Sequence, residues 1–151
     1  MQEERLAKAA EISVFAHATE DEEKVKQAVK RIAPYELVFE SQHLSGHYED
    51  PITLITSKTT KKKEATDLLA NIVRKLSSLD KQTLLDELPN HVDPQGNLYL
   101  RFDKQRAFHG RVSLQENDSI RVKIKFQLPH KADSVAVIKE CIISLEEDTG
   151  E

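Results

Sequence analysis

Apolar residues recur along the chain at two spacings, every second residue and every third or fourth, and each spacing predicts its own kind of element. Ile12 to Ala18, with Val14 and Phe15, predicts a first strand. Thr19 and Glu22 then have the spacing of a capping box, and Glu20 to Glu23 place negative charge at the positive end of a helix dipole. Val25, Ala28, Val29 and Ile32 form the stripe of that helix, which Pro34 ends. Leu37 to Leu44 predicts a second strand. After a loop around Gly46 and Pro51, Ile52 to Lys58 predicts a third, in which Ile52, Leu54 and Thr56 alternate against Thr53, Ile55 and Ser57. The two read as a hairpin. A second long helix, capped by Thr59 or Thr60, carries Ala65, Leu68, Leu69, Ile72, Val73 and Leu76; a shorter one spans roughly Leu79 to Leu88 and stops at Pro89.

The turn Asp93-Pro94-Gln95-Gly96 leads into three further predicted strands. Leu98, Leu100 and Phe102 alternate on the first, Val112 and Leu114 on the second, and Ile120, Val122, Ile124 and Phe126 on the third. Between the first two, Asp103 to His109 predicts one helical turn capped by Asp103. Glu116 to Ser119 predicts a hairpin turn, and a last helix capped near Asp133 carries Val137, Ile138, Cys141, Ile142 and Leu145. The order is strand, helix, two strands, two helices, three strands, helix. That mixture without strict alternation predicts an α+β fold, a mainly antiparallel sheet with helices packed on one face. Residues 1–10 read as an N-terminal arm or short helix, 11–145 as a single domain, and 146–151 as an acidic tail.

Composition narrows the class. The 151 residues are 38% hydrophobic and 32% charged, with a formal net charge of −4. No run approaches the ~18 apolar residues of a membrane span, and Met1 to Glu11 lacks a signal-peptide core, so a cytoplasmic protein is expected. One cysteine, Cys141, makes neither an internal disulfide nor a multi-thiolate metal site, and reads as an inert core thiol. Four glycines leave no glycine-rich nucleotide loop, and no cofactor is expected.

The negative total conceals a division. Residues 58–131 hold 15 Lys and Arg against 9 Asp and Glu, a balance of +6, whereas the remainder holds 7 against 17, a balance of −10. Strand periodicity places the cations. If Val122, Ile124 and Phe126 face the core, Arg121, Lys123 and Lys125 share the other face, and Tyr99 and Arg101 project outward by the same logic. Arg111 projects from the strand between. Cations pair with phosphates, and an exposed aromatic offers a base a stacking surface. An ordinary solvated face is the competing account. Lys61, Lys62 and Lys63 make a second basic focus at a helix start, where free amides also suit a phosphate.

Catalytic constellations are sparse. His43 and His47, with Glu49 or Asp50, are close enough in sequence for a metal site, but they flank a strand-loop in which helical HxxxH geometry does not apply. His109 and Asp103 read more simply as packing and capping than as an acid–base pair. No nucleophile elbow, HExxH or supported carboxylate pair occurs, so no metal and no enzymatic activity are expected.

The segment Asn97 to Val112, NLYLRFDKQRAFHGRV, resembles the LYLR-x-DKQ-x-A-x-x-G block of a family of small archaeal proteins described as predicted RNA-binding or exosome-associated subunits. Phe15 to Asp21 with Lys24-Val25, and Gly46-His47 through Pro51-Ile52, agree with the same family, although Tyr48-Glu49 stand where a glycine is common. The likeness spans roughly residues 11–145. It implies a fold similar to the large-subunit ribosomal protein that binds 5S rRNA, a homodimer, and RNA binding without known catalysis. Arg101, Asp103, Lys104, Gln105 and Gly110 match the block. Asp103 reads as a cap and Gly110 as a hinge, and Arg101, Lys104, Arg106 and Arg111 are the residues expected on phosphate.

Three readings follow. The first is a non-catalytic RNA-binding protein, an accessory factor of RNA processing or degradation, with Tyr99, Arg101, Lys104, Arg106, Arg111, Arg121, Lys123, Lys125, Lys61, Lys62 and Lys63 at its interface. The second is a protein-interaction or assembly module without direct RNA binding, docking on an RNA-processing complex. The third is a metal-assisted hydrolase built on His43, His47 and Glu49 or Asp50.

Overall fold

A computed structural model describes residues 7–45 and 51–147. Five strands form one antiparallel sheet: β1 (Ala7–His17), β2 (Glu40–Ser45), β3 (Pro51–Thr59), β4 (Asn97–Asp103) and β5 (Ser119–Phe126), in the order β2-β3-β1-β5-β4. The helices are α1 (Glu22–Ile32), α2 (Lys62–Lys75), α3 (Ser78–Asp86), the short α4 (Lys104–Phe108) and α5 (Ser134–Glu147), with a 3-10 turn at Leu88–Asn90. Strand β1 starts at Ala7, so residues 7–10, expected in an arm, instead pair with β5 and lengthen the central strand. The remaining arm residues, and the end of the acidic tail, lie outside the described residues.

Alternation decides which face is covered. Ala10, Ile12, Val14 and Ala16 of β1, Leu98, Leu100 and Phe102 of β4, and Ile120, Val122, Ile124 and Phe126 of β5 are all buried. They meet Val25, Ala28, Val29 and Ile32 of α1 and Ala65, Leu68, Leu69, Ile72 and Val73 of α2 in one core that also takes in Ile138 and Ile142 of α5. Cys141 borders this core, and burial pushes its thiol up to about 11. In β3 the covered side carries Thr53, Ile55, Ser57 and Thr59, which leaves Ile52, Leu54 and Thr56 on the other face.

Local polar chemistry moves several helix ends. Thr19 does not cap α1. Glu20 turns back onto the end of β1, its Oε1 accepting the His17 N–H and its own N–H donating to the His17 carbonyl, each at 2.8 Å, and the helix follows this turn. Asp21 is the cap and accepts the Glu23 N–H at 2.9 Å. At α2 the cap position is Lys61, without a side-chain acceptor of its own; Thr59 accepts the Lys61 N–H at 3.1 Å and donates to Glu64 at 2.6 Å. Asn71 of α2 donates to the Ile32 carbonyl at 2.6 Å, satisfying a C-terminal orphan of α1.

The segment around Val112 and Leu114 joins the sheet only through an isolated bridge between Leu114 and Phe102. Gly110, at φ +82°, reverses the chain after α4 in a conformation that side chains disfavour. The chain then runs along the outer edge of β4, where Asp103 N–H donates to the Ser113 carbonyl at 2.9 Å and Gln115 N–H to that of Arg101 at 3.0 Å. It next crosses to β5, which pairs with the opposite edge of β4. The other half of that outer edge is bridged by His91 and Val92. The sheet therefore ends in a protected edge at β4 and in the exposed strand β2.

Candidate nucleic-acid interface

The face turned away from the helices is set by cross-strand register. One row across it reads Lys58, Glu11, Lys123, Tyr99; the next reads Thr56, Ser13, Arg121, Arg101. Two further rows, at the β1–β3–β2 side, hold Phe15, Leu54 and Gln42, then His17, Ile52 and Leu44. The face thus grades from basic over β4 and β5 to partly apolar over β2 and β3. Tyr99 is 41% exposed, and Arg101, Lys58 and Lys125 are exposed as well.

Aromatic rings anchor two of these cations. The Arg121 guanidinium lies 5.1 Å from the Phe15 ring centroid, and the Lys123 ammonium 5.9 Å from that of Tyr99. The Tyr99 hydroxyl donates to Asp93 at 2.9 Å, and this bond, with desolvation second, raises the phenol above its ordinary value. Partial desolvation works to raise the Asp93 carboxyl. Hydrogen bonds from the side chain and backbone of Asn97, from Tyr99 and from the Gln95 N–H outweigh it and hold that carboxyl low. The Tyr99 ring is therefore fixed at its far end while its body stays open to solvent.

The two basic foci of the sequence converge at one end of the sheet. Lys58 at the end of β3 joins Lys123 and Lys125 of β5 around a hollow of about 150 Å³, whose lining also includes Thr59, Thr60 and Glu11. Lys61, Lys62 and Lys63 follow directly at the α2 start and are exposed, Lys63 pairing with Asp67 at 2.8 Å. Among the described residues Lys58, Lys61, Lys62 and Lys125 hold no ion-pair partner. Lys58 escaped the sequence reading because β3 carries apolar residues on both faces, which hides which parity is outward.

Lys104 stands apart. Its side chain is only 10% exposed, and its ammonium reaches the Phe15 carbonyl at 2.9 Å, Glu20 at 3.0 Å and Asp118 at 3.1 Å. An ammonium has three donors, and all are engaged. Asp118 also meets His17 at 3.1 Å; desolvation works against its ionisation, but the Lys104 and His17 contacts prevail and hold its carboxyl low. Arg106 in α4 and Arg111 just after it are exposed, outside the cross-strand rows, with Arg106 donating to Ser113 at 3.4 Å. Asp103 caps α4 by accepting the Arg106 N–H at 2.9 Å, while His109 packs edge-on against Phe108. His43 bonds Thr53 at 3.0 Å, and Thr53 donates onward to Glu22; His47, Glu49 and Asp50 lie outside the described residues. Among the described residues no three His, Cys, Asp or Glu side chains cluster as metal ligands, and no helix is long and apolar enough to cross a membrane.

Known proteins share this chain's pattern. An RNA-binding protein from Pyrococcus abyssi is 34% identical over 131 residues, covering 82% of this chain and 85% of that protein. An uncharacterized protein from Methanocaldococcus jannaschii is 29% identical over 138 residues, covering 87% and 92%. A crystal structure of a DUF54 protein from Archaeoglobus fulgidus superposes with a TM-score of 0.79 at 28% identity, covering 89% of this chain and 99% of the other. A DUF54 protein from Methanothermobacter thermautotrophicus gives 0.75 at 26% identity, covering 93% and 98%. A family model described as RNA binding matches residues 9–126, most of the sheet and the α1 and α2 layer with it, and the chain belongs to that RNA-binding family.

Proposed function

We propose that the protein binds RNA, without catalysing a reaction on it, through the uncovered sheet face. The observation that carries this reading is the set Arg101, Arg121, Lys123 and Tyr99 on adjacent strands of one open face, continued by Lys125 and Lys58. Side chains on paired strands stand about 5 Å apart, so the cations form a fixed array rather than a scatter. Phosphates placed on such an array give affinity that is sequence-tolerant and falls with salt. Arg106, Arg111 and Lys61 to Lys63 extend the basic surface at its margins. Lys104 holds α4 against the end of β1, Glu20 and Asp118, and is read as a structural contact rather than a phosphate contact. An accessory place in RNA processing or degradation, in the cytoplasm, and a fold like that of the 5S-rRNA-binding ribosomal protein, are the finer parts of the proposal and rest on the resemblance of the Asn97–Val112 block.

Anisotropy titration with structured and single-stranded RNA at several salt concentrations tests it. The triple change Arg101→Glu, Arg121→Glu, Lys123→Glu is expected to abolish binding, and a log–log salt slope near zero in the parent protein would sink the proposal.

One observation favours assembly as a second role. Strand β2 is exposed along 40–44 and, unlike β4, is bridged on its outer edge by no other segment among the described residues; Leu44 and Val38 beside it are 37% and 77% exposed. Such an edge suits pairing with a second copy, which would make the homodimer. Sedimentation separates this from RNA-driven association: Leu44→Lys is expected to yield a monomer that still binds RNA, and an unchanged mass refutes the β2 contact.

A further inference from the structure

A groove of about 640 Å³ runs along the outer edge of β4, where the sheet face meets α3. It lies between the two stretches that bridge this edge, so Tyr99 and Arg101 belong both to the open face and to the groove wall. Its chemistry differs from that of the face. Asp80, Glu87 and Glu116 line it, and ionised carboxylates only accept hydrogen bonds. One Asp80 oxygen takes the Leu114 N–H at 3.1 Å, whereas the Glu87 and Glu116 carboxylates hold no partner among the described residues. A phosphate is repelled from these carboxylates, yet Arg101 on the groove wall and Arg121 just outside it attract one. A nucleotide spanning both regions leaves its phosphate on the arginines and turns its base into the groove.

We infer that the groove reads one unpaired guanine of an RNA whose backbone lies on the sheet face, an inference that rests on the RNA-binding reading above. Guanine presents N1–H and N2–H as adjacent parallel donors, the pattern one carboxylate accepts in bidentate fashion. Adenine, cytosine and uracil each set an acceptor beside their donor, which a carboxylate repels. The Tyr99 ring at the mouth offers the base a stacking surface, and RNA recognition commonly works on such splayed-out bases. The groove volume falls within the usual range for ligand sites.

Anisotropy titrations of the full chain against a flush RNA duplex, and against the same duplex bulged with one guanosine, adenosine or inosine, test the inference. Guanosine is expected to bind on the order of tenfold tighter than adenosine, with inosine, which lacks the N2 amino group, between them. Glu87→Gln with Glu116→Gln is expected to erase the preference without weakening the flush duplex. The base series needs no variant, so it decides the matter even if that double variant misfolds. Equal affinity for all bulges, or a preference that survives the double change in folded protein, overturns the guanine site and leaves the RNA reading standing. Failure of every RNA, the flush duplex included, overturns the reading itself.

Discussion

Arg101 and Arg121 lie directly opposite each other in the register of β4 and β5, two like charges on the same open face. Opposed like charges weaken a sheet by roughly 0.2–1 kcal/mol. Only modest contacts offset this: Arg121 rests over Phe15, and Arg101 reaches the Glu116 carbonyl at 3.4 Å. An anion between the guanidiniums would relieve the repulsion. Arg101→Thr is therefore expected to stabilise the free protein, raising Tm by about 1–3 °C, while weakening RNA binding. Thermal melts beside binding titrations check this; a variant that loses both stability and affinity contradicts it.

Lys104 links three elements, the end of β1, the turn before α1 and the segment before β5. Its ammonium is nearly buried, but Glu20 and Asp118 are 31% and 55% exposed and can be resolvated when it is lost. That places the cost of Lys104→Met below the ~3–5 kcal/mol of a fully buried pair, at about 2–3 kcal/mol. Tm is expected to fall by roughly 5–10 °C with RNA affinity at low temperature unchanged. A large drop in affinity of the folded variant would instead make Lys104 a phosphate contact.

The same network sets an acid limit. The Asp118 carboxyl is held low in the folded protein, so its contribution is complete above the ordinary carboxylate range and is lost as pH falls through the depressed folded value. Asp93 acts in the same direction. Tm is expected to be flat from neutrality down to about pH 5 and to decline below pH 4. Asp118→Asn should start lower at neutral pH and decline less steeply in acid. Parallel curves for parent and variant would remove Asp118 from the linkage.

Much of this was legible in the sequence where one physical signal acted alone. The stripes of α1 and α2 and the alternation of β4 and β5 each have a single apolar face, so Tyr99, Arg101, Arg121 and Lys123 follow from parity. Legibility failed where polar side chains compete for backbone groups. Thr19 has the spacing of a cap, but residues 17–20 close a turn through two His17–Glu20 hydrogen bonds, and Asp21 after it supplies the cap. Val112 to Leu114 alternates like a strand, yet the reversal at Gly110 leaves room for one bridge. Lys104 shows a different gap. Its charge is plain in the sequence, but its three acceptors come from residues 15, 20 and 118, which only the folded sheet brings together.

Lys58 offers the sharpest test of whether the face or merely the charge total governs binding. It is remote in sequence from Lys123 and Lys125, yet all three line one hollow, separated by β1 with Glu11 between them in register. A cation that contacts phosphate releases counterions, so removing one lowers the log–log salt slope by about 0.7–0.9. Lys58→Gln is therefore expected to weaken RNA binding and reduce the slope by that amount, as Lys125→Gln should. Lys139, exposed on α5 outside the sheet face, carries the same charge. Its Lys139→Gln variant has the identical net charge and is expected to leave the slope unchanged. If all three variants shift the slope equally, binding follows net charge and the face has no special role; if only the first two do, position on the sheet is what RNA senses.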